Sequence, residues 1–321
     1  PPGAGGTPGA AVLRRVQPNE AHSAHVQESF GLPSSRALRL AQANNETAVR
    51  DLDPRRASAL WRSLVPHGRS RPVEPAEYSL MDAVEDAMWW YRALHARVLD
   101  ALADEPWPRT LPLLDAGCGT GGFLARLRAA APAVVAEGLE YHPPAAARAR
   151  AKAAARVTVG SVNAMPFRDG AFGAVVSLDV LCHAAVEPGR AMAELARVLA
   201  PGGLLVLNLP AYAWLHSTHD ERVHNARRFI AAEARALLAG AGLVALRIGY
   251  WNTLLLPLMV AQRKLLSRIA PESRSDVALF SPRADHMLHG VTVLERRLAA
   301  MFGGGGFPAG GSLLAAARRP A

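Results

Sequence analysis

The run Ser79-Leu-Met-Asp-Ala-Val-Glu-Asp-Ala-Met-Trp-Trp-Tyr-Arg-Ala-Leu-His-Ala-Arg-Val-Leu places apolar residues at helical spacing and predicts one helix reaching about Ala103. Pro106 and Pro108 end it. Short apolar runs then alternate with Ala- and Arg-rich stretches. Strands are predicted over 111–116, 133–141, 156–161, 172–180, 204–209, 243–251 and 312–317. Helices are predicted over 122–130, 144–155, 188–199 and 228–239, the last stopped by Gly240. Strands separated by helices at this spacing imply an α/β fold, a mainly parallel sheet covered on both faces. Residues 253–311 form an insertion before the last strand, with two helix-like stretches and the connector Gly303–Gly306. Residues 1–77 break the pattern. Phe30 and Trp61 are their only aromatics, and a segment so poor in large apolar groups rarely offsets the entropy of ordering. Apart from short helices near 35–48 and 56–64, it is expected to be loose.

Composition narrows the class. Of 321 residues, 50% are apolar and two are Cys, so a full core is expected without a disulfide scaffold. Those two cysteines point to a reducing, cytoplasmic setting. No apolar run approaches the roughly 18–20 residues that span a bilayer. Pro1–Ala11 lacks both a signal-peptide core and an initiator Met, as in a processed or incomplete chain. The net charge is +9, but Lys152 and Lys264 are the only lysines, and no block of five or six like charges occurs. Charge so diffuse suggests a solvated surface, and no nucleic-acid partner is expected.

The sharpest local signal is Leu113-Leu-Asp115-Ala-Gly117-Cys118-Gly119-Thr120-Gly121-Gly122-Phe, which follows a predicted strand and opens a predicted helix. Glycines there let backbone N–H groups approach a ligand at the positive end of a helix. Gly117-x-Gly119-x-x-Gly122 also fits a dinucleotide fingerprint. Asp115 separates the two ligand classes: an acid two residues ahead of the first glycine repels a pyrophosphate but accepts hydrogen bonds from an ammonium group. A nicotinamide oxidoreductase is therefore the second choice.

At this point the chain resembles the class I, Rossmann-like SAM-dependent methyltransferases, whose first motif is D/E-x-G-x-G-x-G. Glu140, in Gly138-Leu-Glu-Tyr141, sits where that family holds both ribose hydroxyls. Gly160-Ser161-Val162-Asn163-Ala-Met-Pro-Phe resembles the segment flanking the adenine, with Ser161 in place of the usual Asp. Val176-Ser-Leu178-Asp-Val-Leu-Cys-His183 resembles the fourth strand and its exit, and Arg197-Val-Leu-Ala-Pro-Gly-Gly the turn into the fifth. Trp89-Trp-Tyr-Arg92 resembles a helix that closes over the methionine end of SAM, with Arg92 meeting the carboxylate; a core role fits the tryptophans equally. The resemblance covers about 78–321. It implies a seven-stranded, mostly parallel sheet with the last strand antiparallel, and S-adenosylmethionine as cofactor. A non-catalytic SAM-binding protein of this fold is a further alternative, against which the intact glycine loop argues.

After the predicted fifth strand comes Tyr212-Ala-Trp214-Leu-His216-Ser-Thr-His219-Asp220, followed by His224, Arg227 and Arg228. It resembles a bacterial branch of type 11 or 12 methyltransferases. The loop leaves the carboxyl end of a strand, where open α/β sheets bind ligands. It is therefore expected to hold the acceptor, with Tyr212, Trp214, His216 and Asp220 as contacts and His219 or His183 as base. As a plain connector, it would use Asp220 as a cap and leave Arg227 and Arg228 solvated. The spacing of His216, His219 and His224 is loose for zinc, and no metal is expected. Cys118 and Cys182 suit small buried roles better than nucleophilic ones. The insertion segment 253–268, apolar first and then basic at Arg263, Lys264 and Arg268, fits a lid or an interfacial helix admitting a lipid-linked acceptor.

Overall fold

The computed structural model describes residues 75–217, 220–221, 223–262, 280–301 and 306–321. In chain order the elements are α1 (Pro75–Val84), α2 (Trp89–Asp104), β1 (Leu113–Ala116), α3 (Gly122–Ala130), β2 (Ala136–Glu140), α4 (Pro143–Ala153), β3 (Arg156–Val159), β4 (Phe172–Leu178), α5 (Pro188–Val198), β5 (Leu199–Pro210), α6 (Ala231–Gly240), β6 (Val244–Trp251), α7 (Leu256–Ala261), α8 (Pro282–Met301) and β7 (Ser312–Arg318). The seven strands form one sheet in the order β3-β2-β1-β4-β5-β7-β6. β1 pairs in parallel with β2 and β4, while β7 runs antiparallel between β5 and β6. This is the seven-stranded, Rossmann-like α/β sheet that the resemblance implied.

Parallel strands covered on both faces must be apolar throughout, not on alternate residues. β4, Phe-Gly-Ala-Val-Val-Ser-Leu, is buried over its first six residues. One face of the sheet packs Leu139, Val175, Leu205 and Leu207 against Met192 and Leu195 of α5. The other packs Val176, Leu204 and Val206 against Leu94 and Val98 of α2. In β7, Ala315, Ala316 and Ala317 keep the sheet thin between two long strands.

The predicted single helix over 79–103 is two helices, a correction with a tertiary cause. The chain turns at Glu85–Met88, where Met88 takes an extended conformation before α2 begins. The Trp89 N–H that opens α2 donates to Asp285 Oδ1 of α8, 2.6 Å away, a cap supplied by a residue 196 positions along the chain. Glu85, in the turn, accepts from Thr120 Oγ1 at 2.7 Å and from Lys152 Nζ at 2.6 Å. Those contacts hold α1 against the glycine loop and α4.

The insertion supplies α7 and α8. Buried Glu295 of α8 accepts from the backbone N–H groups of Asn252, Thr253 and Leu254 at 2.7, 2.7 and 2.9 Å. It also pairs with Arg97 of α2 at 3.0 Å. One carboxylate thereby ties the exit of β6 to two helices. Among the described residues no helix is long and apolar enough to cross a membrane. The helices expected at 35–48 and 56–64, and the basic half of segment 253–268, lie outside the described residues.

Candidate active site

A cavity of about 1390 Å³ opens beyond the carboxyl ends of the parallel strands, walled by α1, α2, α7 and α8. The glycine loop forms its floor. Gly117 has φ +94°, and a Cβ there would lie 2.3 Å from Val180 Cγ2. Gly121 has φ +93°, and a Cβ there would lie 2.8 Å from the Ala149 backbone of α4. Only glycine satisfies both the left-handed backbone and the close approach. The Gly117 and Cys118 amides both donate to Leu139 O, stitching the loop to β2.

Asp115 and Glu140 lie near the carboxyl ends of β1 and β2, which are adjacent parallel strands, and both side chains line the cavity. Both are buried. Glu140 Oε2 accepts from Gly119 N at 2.9 Å, and Oε1 from His142 N at 2.8 Å and from Tyr78 OH at 3.3 Å. Burial nevertheless pushes Glu140 up to about 7 against those donors. Burial pushes Asp115 further, to about 8, with the charges of Glu140 and Glu85 adding to it. Asp115 and Glu140 are thus two buried carboxyls with displaced pKa values facing one cleft.

Gly117, Cys118, Gly119, Tyr141, Ser161, Val162 and Leu178 also line the cavity, as expected of a cofactor face. Thr120, Gly121 and Asn163 do not. Thr120 is spent on Glu85, and Gly121 caps α3 against α4. Asn163 bridges the Ala185 carbonyl and the Glu187 amide. Arg92 also lies off the cavity: it pairs with Asp285 at 3.2 Å and bonds His289 at 3.0 Å, while Trp89, Trp90 and Tyr91 of the same helix line the wall.

The loop after β5 divides. Tyr212 stacks between Trp214 and Tyr250, at 5.5 and 5.0 Å between ring centroids, and none of Tyr212, Trp214 or His216 lines the cavity. Asp220 reaches it, but as an anchor: both its oxygens lie 2.8 Å from Arg228 Nη2, and it accepts from Ser217 N and Asn225 Nδ2. Burial acts to raise it, yet these donors hold Asp220 below the usual carboxylate range. Arg227 is likewise turned inward, onto the carbonyls of Leu181, His183 and Val186. Neither arginine is the solvated group the connector reading supposes.

His219 lies outside the described residues. His183 lines the cavity, with Nδ1 3.1 Å from Val223 O. A carbonyl partner assigns the proton to Nδ1, which leaves Nε2 as the basic nitrogen. Burial lowers its pKa, and the charges of His224 and Arg227 act in the same direction. Burial drives the Cys118 and Cys182 thiols upward, away from the thiolate.

Tyr78, Glu85, Asp179 and Asn252 reach the cavity without having been singled out, and so do His224 and Arg228, to which the sequence assigned no ligand contact. Asp179 left a legible trace, an acid directly past the fourth strand. The others depend on pairings across the fold.

Residues 114–207 match the family described as Methyltransferase domain. The demethylmenaquinone methyltransferase of Thermus thermophilus is 36% identical over 150 residues, 43% of this chain and 64% of that protein. A probable tRNA methyltransferase 9B of Mus musculus is 32% identical over 133 residues, 38% of this chain and 28% of that protein. The chain thus spans less than two thirds of either relative. A chain from the complex between the Haloferax volcanii Trm112 methyltransferase activator and its methyltransferase superposes with a TM-score of 0.51 at 21% identity. That match covers 77% of this chain and 95% of the other, and is a likeness of fold.

Proposed function

We infer, from the class I, Rossmann-like SAM-dependent methyltransferase domain that this chain carries, that the protein moves a methyl group from S-adenosylmethionine to a small-molecule or lipid-linked acceptor. The observation that carries this reading is Asp115, buried and raised to about 8 beside Glu140. Lys152 neutralises Glu85 at 2.6 Å, which leaves Asp115 and Glu140 as an acidic floor. An ammonium group and a ribose diol favour the ionised form of that floor, whereas the pyrophosphate of a nicotinamide cofactor finds no cationic partner in it. The residues present therefore fit S-adenosylmethionine, which when bound supplies an electrophilic methyl group.

In this reading Asp115 accepts from the α-ammonium, Glu140 from the ribose, and Ser161 and Val162 flank the base, with Tyr141 and Leu178 closing the sides. His183 takes the proton that an O–H or N–H acceptor gives up. The apolar helices over the cavity keep water from the reacting pair, and most of the rate comes from holding the reactants in line. Leu254 and Leu258, 44% and 55% exposed at the entrance to α7, support entry from an apolar phase and peripheral contact with a membrane surface through this segment.

The acceptor class is tested with isotopically labelled methyl donor and a cell extract. Label should appear in the organic-extractable fraction, and the full chain should be required for it. Label recovered in RNA would overturn the acceptor class while leaving the methyl-transfer chemistry standing.

A further inference from the structure

Three residues at one end of the cavity share two unusual properties. Asp179, His224 and Asn252 have left-handed backbones, with φ +54°, +55° and +60°, and all three line the cavity. Asp, Asn and His are the side chains that adopt this backbone most readily. Each also holds a buried polar atom without a hydrogen-bond partner among the described residues: Asp179 Oδ1, His224 Nε2, and both Nδ2 and Oδ1 of Asn252. Asn252 is 1% exposed. Leaving a buried polar group unsatisfied is costly, and three such residues line this one cavity.

The orientation of Asp179 is fixed from behind. Trp251 Nε1 donates to Asn208 Oδ1 at 2.8 Å, which turns the Asn208 amide so that Nδ2 donates to Asp179 Oδ2 at 2.9 Å. Arg97 lies 4.7 Å over the Trp251 ring and holds it in place. One carboxylate oxygen is thus spent on the scaffold, and the other has no partner among the described residues. Much of the remaining lining is apolar and adaptable, built from Met88, Trp89, Leu255, Leu258, Met259 and Leu288. At about 1390 Å³ the cavity exceeds the ~300–1,000 Å³ typical of one small-molecule site, which leaves room for an acceptor beside a cofactor.

We propose that Asp179, His224 and Asn252 form the acceptor-reading end of the cavity, where Asp179 Oδ1 accepts a hydrogen bond from a hydroxyl or amine on an otherwise apolar molecule. This rests on the methyl-transfer reading and sharpens it: the acceptor carries an N–H or O–H nucleophile on a hydrocarbon or aromatic body. Asn252 and His224 read a second polar atom next to it.

The test uses the full chain with S-adenosylhomocysteine present and three probes, 4-hexylphenol, 4-hexylaniline and 4-hexylanisole, the last lacking a donor. Binding is read by calorimetry and by fluorescence of the cavity tryptophans. The phenol and aniline should bind at least ~tenfold more tightly than the anisole, since a site built around a donor rejects the analogue without it. Asp179→Asn retains a residue type that tolerates the left-handed backbone. With its oxygen kept on Asn208, it offers an N–H in place of the acceptor, which the phenol and anisole oxygens satisfy alike, so the preference for the phenol should be lost while S-adenosylhomocysteine affinity stays unchanged. Should that variant fail to fold, Asn252→Asp adds an acceptor at the same wall and should widen the preference. Failure of the phenol to bind, equal binding of all three probes, or a preference unmoved by the folded variant would overturn the proposal. Failure of S-adenosylhomocysteine itself to bind would instead overturn the methyl-transfer reading.

Discussion

Asp115→Asn should weaken S-adenosylmethionine binding roughly tenfold to a hundredfold and, at pH 8, make the ligand-free protein more resistant to heat. The first effect is the loss of a charge-assisted hydrogen bond, about 1.5–3 kcal/mol. The second follows from the direction of the pKa shift. Folding raises Asp115 from the ordinary carboxylate range to about 8, so the native state holds a proton that the unfolded chain has already lost. This group's share of stability is complete at pH values below the ordinary range and declines as pH climbs toward 8. The amide has no charge to bury, and the melting temperature at pH 8 should rise by at least ~2–4 °C. The ligand reverses the preference, because an ammonium partner requires the ionised carboxylate. Affinity of the unsubstituted protein should therefore increase between pH 6 and 8, by up to about tenfold per unit, with proton release visible in calorimetry across buffers of different ionisation enthalpy. Above pH 8 the gain should fade as the ligand's own α-amino group, near ~7.7–8.0, loses its charge. A flat profile from 6 to 8 would contradict the acidic-floor account.

His183→Ala is expected to lower turnover ~100-fold or more while leaving S-adenosylmethionine affinity within about threefold. The imidazole is anchored through Nδ1 on Val223 O, and burial moves its pKa below the ordinary value. It is thus neutral and basic throughout the physiological range, and the acid limb of kcat/KM should fall below pH 6.5. S-adenosylhomocysteine release measured beside calorimetry on one preparation separates chemistry from binding. His219→Ala in parallel decides between the two histidines: a comparable loss at His219 with full activity at His183 would move the base into the loop. Parallel loss of binding and turnover at His183 would make that residue structural.

The parts of this protein legible in its sequence are those whose causes are local. A glycine loop between an apolar strand and a helix needs only its own residues to be recognised, and Asp115, Gly117, Gly119 and Glu140 all stand where that pattern puts them. Helix α3 runs over the predicted residues, and the parallel strands differ from prediction chiefly at their ends. Long-range pairings were not legible. Helix α2 begins where it does because Asp285 caps it, and Arg92 turns away from the cavity because the same carboxylate pairs with it. Tyr212 and Trp214 are rich in binding chemistry, yet Tyr250 on β6 draws them into a stack on the far side of the loop. Asp220 looked like an acceptor contact until Arg228, eight residues on, closed its oxygens. Asn252 carries no motif at all; its significance lies in a left-handed backbone and an unsatisfied amide, set where β6 ends against α8 and Gly311.

The central claim is that this acidic floor is made for a sulfonium nucleoside with a free amino acid end. Titration calorimetry of the full chain at pH 8 with S-adenosylmethionine, S-adenosylhomocysteine and NAD tests it most directly. The account predicts saturable one-to-one binding of the first two and none of NAD, whereas NAD binding with no heat from S-adenosylmethionine would contradict it.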